Sequence, residues 1–188
     1  MGKIICLYGL PACGKTTQAE KIRAEFSYVQ FGMGDRLRDE IASGSNLGQE
    51  IKIFVDSGKL IPDELMEQII KNVGEKIKDN GIIFDGFPRM MSQILMLEKI
   101  SQELDREINK CFYLKVKPET AIARIEARAA TSGRGDDKDI EAIKNRLDTF
   151  NRESKVILDY YGQHNKLVEI DGELSIEEVY QEIKKHLL

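Results

Sequence analysis

The residues best suited to chemistry in this chain lie in Gly9-Leu10-Pro11-Ala12-Cys13-Gly14-Lys15-Thr16. The octapeptide fits G-x-x-x-x-G-K-[ST], a loop that holds a phosphate chain. Backbone N–H groups of such a loop form an anion nest, and the helix behind it adds unpaired donors and its dipole. Lys15 would bring a point charge to the β- and γ-phosphates, and the Thr16 hydroxyl would help hold Mg²⁺. A second signal is Asp85, which closes the apolar run Gly81-Ile82-Ile83-Phe84-Asp85. A carboxylate beside a phosphate loop orients the water shell of that metal. Arginines are the third. Arg124 and Arg128 stand four apart on an expected helix, a like-charge spacing that costs roughly 0.2–0.5 kcal/mol unless an anion compensates. Arg38, Arg89, Arg134 and Arg146 follow or line other segments. As a set they suit the clamping of several phosphoryl oxygens at once, which the bidentate guanidinium fork does well.

These groups need strands and helices to bring them together. Apolar runs at Ile4–Tyr8, Tyr28–Phe31, Gly81–Asp85, Cys111–Val116 and Leu167–Ile170 read as strands. Helical patterns lie between them, which predicts an α/β fold with a mainly parallel sheet. Leu65, Ile69, Val73 and Ile77 recur every fourth residue, as do Ile140, Ile143, Leu147 and Phe150 at helical spacing. Both stripes predict core-facing helices. Pro118 suits a helix start. Ser175 and Glu178 form a capping box ahead of Val179, Ile183 and Leu187. Residues 32–61 are polar and glycine-punctuated, consistent with a small helical insertion, and 131–138 read as a mobile loop.

With 188 residues, one domain around one main core is expected. A net charge of −4 argues against nucleic-acid or membrane-surface binding. No apolar run reaches the length of a membrane span, and Lys3 leads straight into a strand rather than into a leader-like apolar stretch. Cys6, Cys13 and Cys111 are too scattered for a disulfide framework or a zinc cluster, and a reducing cytoplasm is the expected location.

The motifs together resemble those of the nucleoside monophosphate kinases, and most closely an adenylate kinase with a short lid. They are the loop through Thr17, Gly34-Asp35-Arg36-Leu37-Arg38, Asp85-Gly86-Phe87-Pro88-Arg89, and Thr131-Ser132-Gly133-Arg134-Gly135-Asp136-Asp137. The resemblance implies a P-loop fold with a five-stranded parallel sheet flanked by helices. It implies a core of 1–31, 62–126 and 139–188, a nucleoside-monophosphate-binding insertion at 32–61 and a lid at 127–138. The implied reaction is Mg²⁺-dependent, in-line transfer from ATP to AMP, giving two ADP. The implied ATP-binding residues are Ala12, Cys13, Gly14, Lys15, Thr16, Thr17, Arg124, Arg128 and Leu174. The implied AMP-binding residues are Met33, Arg38, Lys59, Leu60, Ile61, Gly86, Phe87, Pro88, Arg89, Gln93, Arg134 and Arg146. Lys15, Arg89, Arg124, Arg128, Arg134 and Arg146 are implied to be catalytic, with Thr16 and Asp85 at the metal, partly through water. ATP and AMP are the expected partners of a monomer; zinc, nucleic acid and membrane are not expected.

The chain departs from the family's pattern in three respects. Ala12 and Thr16 stand where it usually has glycine. Gly32-Met33 stands where it usually has Ser-Thr, so the acceptor base meets a thioether instead of a hydroxyl. The interval from Asp136-Asp137 to Arg146 is one residue longer than usual. A kinase for UMP or CMP, or one of relaxed acceptor choice, is the alternative that Met33 keeps open and Gln93 opposes. A nucleotide-binding regulator without transfer is more remote, because the arginine set is complete. A GTPase is disfavoured, since Asn165-Lys166-Leu167-Val168 lacks the aspartate of a guanine reader.

Overall fold

The computed structural model describes residues 3–74, 80–103, 105–132 and 137–187. Five strands, β1 (Ile4–Tyr8), β2 (Val29–Gly32), β3 (Ile82–Asp85), β4 (Ile108–Lys115) and β5 (Leu167–Asp171), form one parallel sheet in the order β2-β3-β1-β4-β5. β1 is central and buried at all five positions, as a parallel strand covered on both faces must be. Its period-two alternation divides the core. Ile4, Cys6 and Tyr8 face one layer, with Met66, Ile94, Leu97, Ile157 and Tyr161. Ile5 and Leu7 face the other, with Ala19, Ile22, Ala121, Val179 and Ile183.

Eight helices among the described residues connect and cover the strands: α1 (Lys15–Phe26), α2 (Met33–Ala42), α3 (Asn46–Ser57), α4 (Asp63–Gly74), α5 (Met91–Glu103), α6 (Pro118–Ser132), α7 (Ile140–Gln163) and α8 (Ile176–Lys184). The expected starts and caps have local causes. Pro118 opens α6. Ser175 and Glu178 make the reciprocal capping box of α8. Asp139 caps α7, accepting from the Glu141 and Ala142 N–H groups at 2.8 and 3.4 Å. Residues 32–61 contain α2 and α3. Gly48 lets them meet, because a Cβ there would lie 2.2 Å from the Glu40 carbonyl oxygen.

Several expectations need correction. β4 begins at Ile108, not Cys111, because Ile108 and Lys110 pair with Ile4 and Ile5; backbone pairing carries the strand through polar Asn109-Lys110. It ends one residue earlier than expected, at Lys115. β2 is shifted by one residue, since Gly32 pairs with Asp85. Ile140 is not core: it opens α7 ahead of the packed part of the helix and is 70% exposed. Leu147 and Phe150 pack partly buried against the core. Thr131 and Ser132 are not loop residues but the last residues of α6, whose alanine-rich sequence sustains the helix that far. The Val73 side chain, Ile77 and Arg134 lie outside the described residues. Among those residues, no helix is long and apolar enough to cross a membrane.

The register sets the site. Leu7 pairs with Asp85 and Gly32 with Asp85, so three strands deliver their carboxyl ends side by side. Ligands in open α/β sheets bind at such ends. The chain leaves β1 through Gly9, whose φ is 144°. A Cβ there would lie 2.6 Å from the Leu114 carbonyl oxygen and 2.7 Å from Cys13 Sγ, so only glycine fits. Ala12 adopts φ 60°, a left-handed conformation that costs an L-residue about 1 kcal/mol. Ala12→Gly is therefore expected to stabilise the protein by up to about 1 kcal/mol, and Gly9→Ala to destabilise it by about 1–3 kcal/mol. Urea unfolding midpoints test both; a Gly9→Ala protein as stable as the parent would refute the close approach.

Candidate active site

α1 begins directly after the glycine loop, at Lys15. Its N-cap is Gly14, at φ 104°, and no side chain caps it. The first-turn N–H groups therefore have no capping partner from a side chain and are placed to receive an anion. Lys15 folds back over the loop. Its ammonium donates to the carbonyls of Gly9 at 2.9 Å and Leu10 at 2.8 Å, with Cys13 Sγ at 3.5 Å. The Thr16 hydroxyl donates to Asp85 Oδ2 at 2.7 Å, which joins the loop to the end of β3. Gln30 Nε2 reaches the same oxygen at 3.4 Å.

These groups floor a cleft of about 460 Å³ at the carboxyl edge of the sheet. Residues of α2 and of the α3–α4 connection form one wall, through Met33, Arg38, Lys59, Leu60 and Ile61. Gly86, Arg89 and Gln93 follow from the β3–α5 connection, and Arg124, Arg128 and Arg146 from α6 and α7. Among the described residues, seven cationic side chains line the cleft, against the carboxylates of Asp35, Asp85 and Glu153. In a chain of net charge −4, that concentrates positive potential where an anionic ligand would enter.

Each of these five guanidiniums has an acceptor within the protein, and two of them share one. Arg38 pairs with Asp35. Arg89 Nε donates to the Gly86 carbonyl at 2.7 Å, and Arg124 to the Gly172 carbonyl at 3.2 Å. Arg128 makes a bidentate pair with Asp137, Nε to Oδ2 at 2.7 Å and a terminal nitrogen to Oδ1 at 2.9 Å. Arg146 reaches the same Oδ1 at 2.9 Å. The Asp137 side chain is fully buried. Burial alone would push its carboxyl up, but the hydrogen bonds from Arg128 and then Arg146 outweigh it and hold it below 3.8. Arg89 stands in the concave wall, open to solvent yet ringed by protein. Desolvation, followed by the neighbouring Arg146, lowers its pKa, and Asp85 opposes them. Arginine nevertheless stays charged.

Most of the expected binding residues share this one cleft. Cys13 does not line it: it is buried under the loop, in the space that Gly9 leaves free. Phe87 and Pro88 are buried behind the wall, where Phe87 packs 5.6 Å from Phe84, ring to ring. Leu174 lies outside the cleft, 40% exposed, ahead of α8. The added residue before Arg146 does not remove that side chain from the cleft, since α7 starts at Ile140 and still brings it to Asp137.

The sequence motifs include Asp137 without assigning it a role, and of α7 they bring only Arg146 to the site. Asp137 lies nine residues from each of its arginines, and no periodicity links them. Thr149, Phe150 and Glu153 also line the cleft, and Phe150 stacks on Tyr8 at 5.3 Å. The helical spacing assigns Phe150 to a core stripe, and in the structure it serves both core and cleft.

Comparison with known proteins bears on this arrangement. A family model described as adenylate kinase matches residues 7–166. A protein of Nautilia profundicola named adenylate kinase is 37% identical over 188 residues, covering 98% of this chain and 96% of its own. One of Bacteroides fragilis, of the same name, is 37% identical over 182 residues, covering 96% of each. One of Phenylobacterium zucineum, also so named, is 40% identical over 176 residues, covering 93% of this chain and 92% of its own.

Asp137→Asn removes the shared charge from two arginines and is expected to cost about 1–3 kcal/mol. A carboxyl whose folded pKa is depressed stabilises the fold above its unfolded value and loses that contribution as pH falls through the folded one. The stability gap between parent and Asp137→Asn should thus be full above about pH 3.8 and shrink below it. Denaturation across that range measures it; a gap that grows on acidification would contradict the pairing.

Proposed function

The chain belongs to the adenylate kinase family, and on that premise we infer that it is an enzyme moving the γ-phosphoryl group of ATP to AMP, giving two ADP, reversibly. The observation that supports this reading best is one cleft holding both a phosphate loop at the end of β1 and five guanidinium groups facing it. Such a set neutralises charge on a donor and an acceptor phosphate at once.

The residue roles proposed are those that the resemblance to the family implies. The loop N–H groups from Ala12 to Thr17 and the α1 N-terminus hold the ATP phosphates. Lys15, whose ammonium rests on neutral carbonyls, exchanges them for charged phosphate oxygens, which make stronger hydrogen bonds. Arg124 and Arg128 serve the donor, with Arg124 nearer its base. Arg38 and Arg89 grip the AMP phosphate, while Lys59, Leu60 and Ile61 contact AMP mainly through backbone. Arg146, with Arg134, bridges toward the acceptor. An AMP phosphate oxygen attacks the γ-phosphorus in line as the bond to the bridging oxygen of ADP breaks. No strong base is needed, because the nucleophile is already anionic. Residues 32–61 and 127–138 act as acceptor-binding insertion and lid. Their closure excludes water, which would otherwise accept the phosphoryl group.

A hydroxyl and a carboxylate oxygen, 2.7 Å apart and both in the cleft, are the hard donors that suit Mg²⁺. Among the described residues no group of three or more His, Cys, Asp or Glu side chains could hold a metal. That fits an ion held by one carboxylate and the substrate's phosphates rather than by a protein cage. Thr16 and Asp85 would hold it, and when bound it supplies neutralising charge to the phosphates. The three cysteines are free and buried, consistent with a reducing cytoplasm, and a monomer is the assembly proposed.

ADP formation from ATP and AMP, coupled to a spectrophotometric readout, tests the activity. Lys15→Met should lower kcat by at least about 10²-fold with little change in the unfolding midpoint, and EDTA should abolish transfer. Near-normal turnover by Lys15→Met would sink the assignment of Lys15.

A further inference from the structure

β1 ends on Tyr8, one residue ahead of the phosphate loop and outside every sequence motif of the site. The alternation of the strand turns its side chain into the core layer that holds Met33, Leu37, Ile61 and Met66. Those four residues also line the cleft, so Tyr8 reaches it from the same side as they do. α1 packs in the other layer, through Ala19 and Ile22. Tyr8 thus stands where the loop meets the opposite wall. Its ring is held on two sides, by Phe150 of α7 at 5.3 Å and Tyr113 of β4 at 6.1 Å between centroids. Phe150 lies four residues after Arg146 on α7 and shares its face, so the ring is fixed relative to that guanidinium.

Buried tyrosines ordinarily satisfy their hydroxyls. Among the described residues three tyrosines are buried: Tyr8, Tyr161 and Tyr180. The Tyr161 hydroxyl meets Cys6 Sγ at 3.7 Å, and that of Tyr180 donates to Glu25. The Tyr8 hydroxyl has no hydrogen-bond partner among the described residues. It is not sealed in, either, so it opens on the cleft that the residue lines. The charges that act on it from that cleft are Arg89 and Glu153. Glu153 is engaged by Arg152 at 2.8 Å. Arg89 senses Arg146, Asp85 and Tyr8 together, so these groups surround one part of the floor. Burial, more than any charge, pushes the phenol up, and it remains an uncharged donor.

A rigid O–H donor without a protein partner, set among guanidiniums, suits an anionic oxygen, and such charge-assisted bonds are the strong ones. We propose that Tyr8 is a further substrate-binding residue, its hydroxyl donating to an oxygen of the AMP phosphate beside Arg89. The proposal rests on reading this side of the cleft as the AMP-acceptor site. The guanidiniums must first give up their own acceptors to reach a phosphate, whereas the Tyr8 hydroxyl gives up only solvent. The acceptor phosphate carries its greatest charge before attack, because charge passes into the new P–O bond as the reaction proceeds. A donor to it therefore binds the ground state at least as well as the transition state, and lowers KM without raising kcat.

The test compares the parent with Tyr8→Phe, which removes one oxygen that no protein group holds and keeps the ring between Phe150 and Tyr113. The unfolding midpoint should not move. KM for AMP is expected to rise about 10-fold or more, the loss of a hydrogen bond to a charged group. The same variant should keep kcat within about threefold and KM for ATP within about twofold of the parent. Inhibition by adenosine, which lacks the phosphate, should be equal in the two proteins. A KM for AMP within about twofold of the parent would overturn the proposal, leaving a hydroxyl that meets solvent only. An equal weakening of adenosine would overturn it too, by placing the contact away from the phosphate. So would an equal rise in KM for ATP, the mark of a disturbed floor. Each of these leaves the adenylate kinase activity standing, whereas a parent that does not phosphorylate AMP overturns both readings.

Discussion

Repulsion among the cations of the cleft is the constraint that the rest of the structure answers. Phosphoryl transfer needs positive charge converging on a few oxygens, yet the fold must hold that charge in place with no phosphate present. It does so by giving the cations nearby acceptors. Lys15 leans on the carbonyls of its own loop. Arg89 and Arg124 lean on the carbonyls of Gly86 and Gly172. Arg128 and Arg146, on different helices, share the buried carboxylate of Asp137. Neutral carbonyls hold the first three only modestly, so charged phosphates can displace them. The Asp137 pairs are stronger, and they tie α6 and α7 together.

The sheet exists, for function, to bring its carboxyl ends into one plane. Parallel pairing from Ile4 opposite Ile82 to Leu7 opposite Asp85 means that a carboxylate ending β3 lands beside the loop leaving β1. The 2.7 Å bond from Thr16 to Asp85 is the direct product of that register. A slip by one residue would turn Asp85 to the other face and break the pair. Packing enforces the register, because Ile82 and Phe84 belong to one core layer and Ile83 to the other. The two-sided burial that makes the strands read as continuous apolar runs is thus what positions the chemistry.

The side of the cleft opposite the phosphate loop is organised differently. The orientation of the Gln93 amide depends on a backbone N–H four residues earlier in the chain, so the β3–α5 connection sets hydrogen-bond polarity as well as position. The surrounding wall, from Met33 to Met66, is mainly apolar.

Much of the site was legible in the sequence because it is local. The phosphate loop, Asp85 and the capping box at Ser175 are short-range patterns with short-range causes, and the strand-and-helix alternation followed from hydrophobic periodicity. Element ends were less legible. β4 reaches back to Ile108 because β1 is there to pair with it. Ile140 is exposed because the packed part of α7 begins after it. Composition and periodicity carry neither fact. Tertiary structure alone decided that Phe87 is core rather than cleft, that Phe150 is both, and that Asp137 joins Arg128 to Arg146. It also decided that the Gln93 amide points one way. The physical reason is common to all of these. Local sequence governs backbone conformation and which face is apolar, but the partner of a polar side chain is chosen by what other elements bring within about 3 Å. Here that choice is made by the packing of α5, α6 and α7 against the carboxyl edge of the sheet.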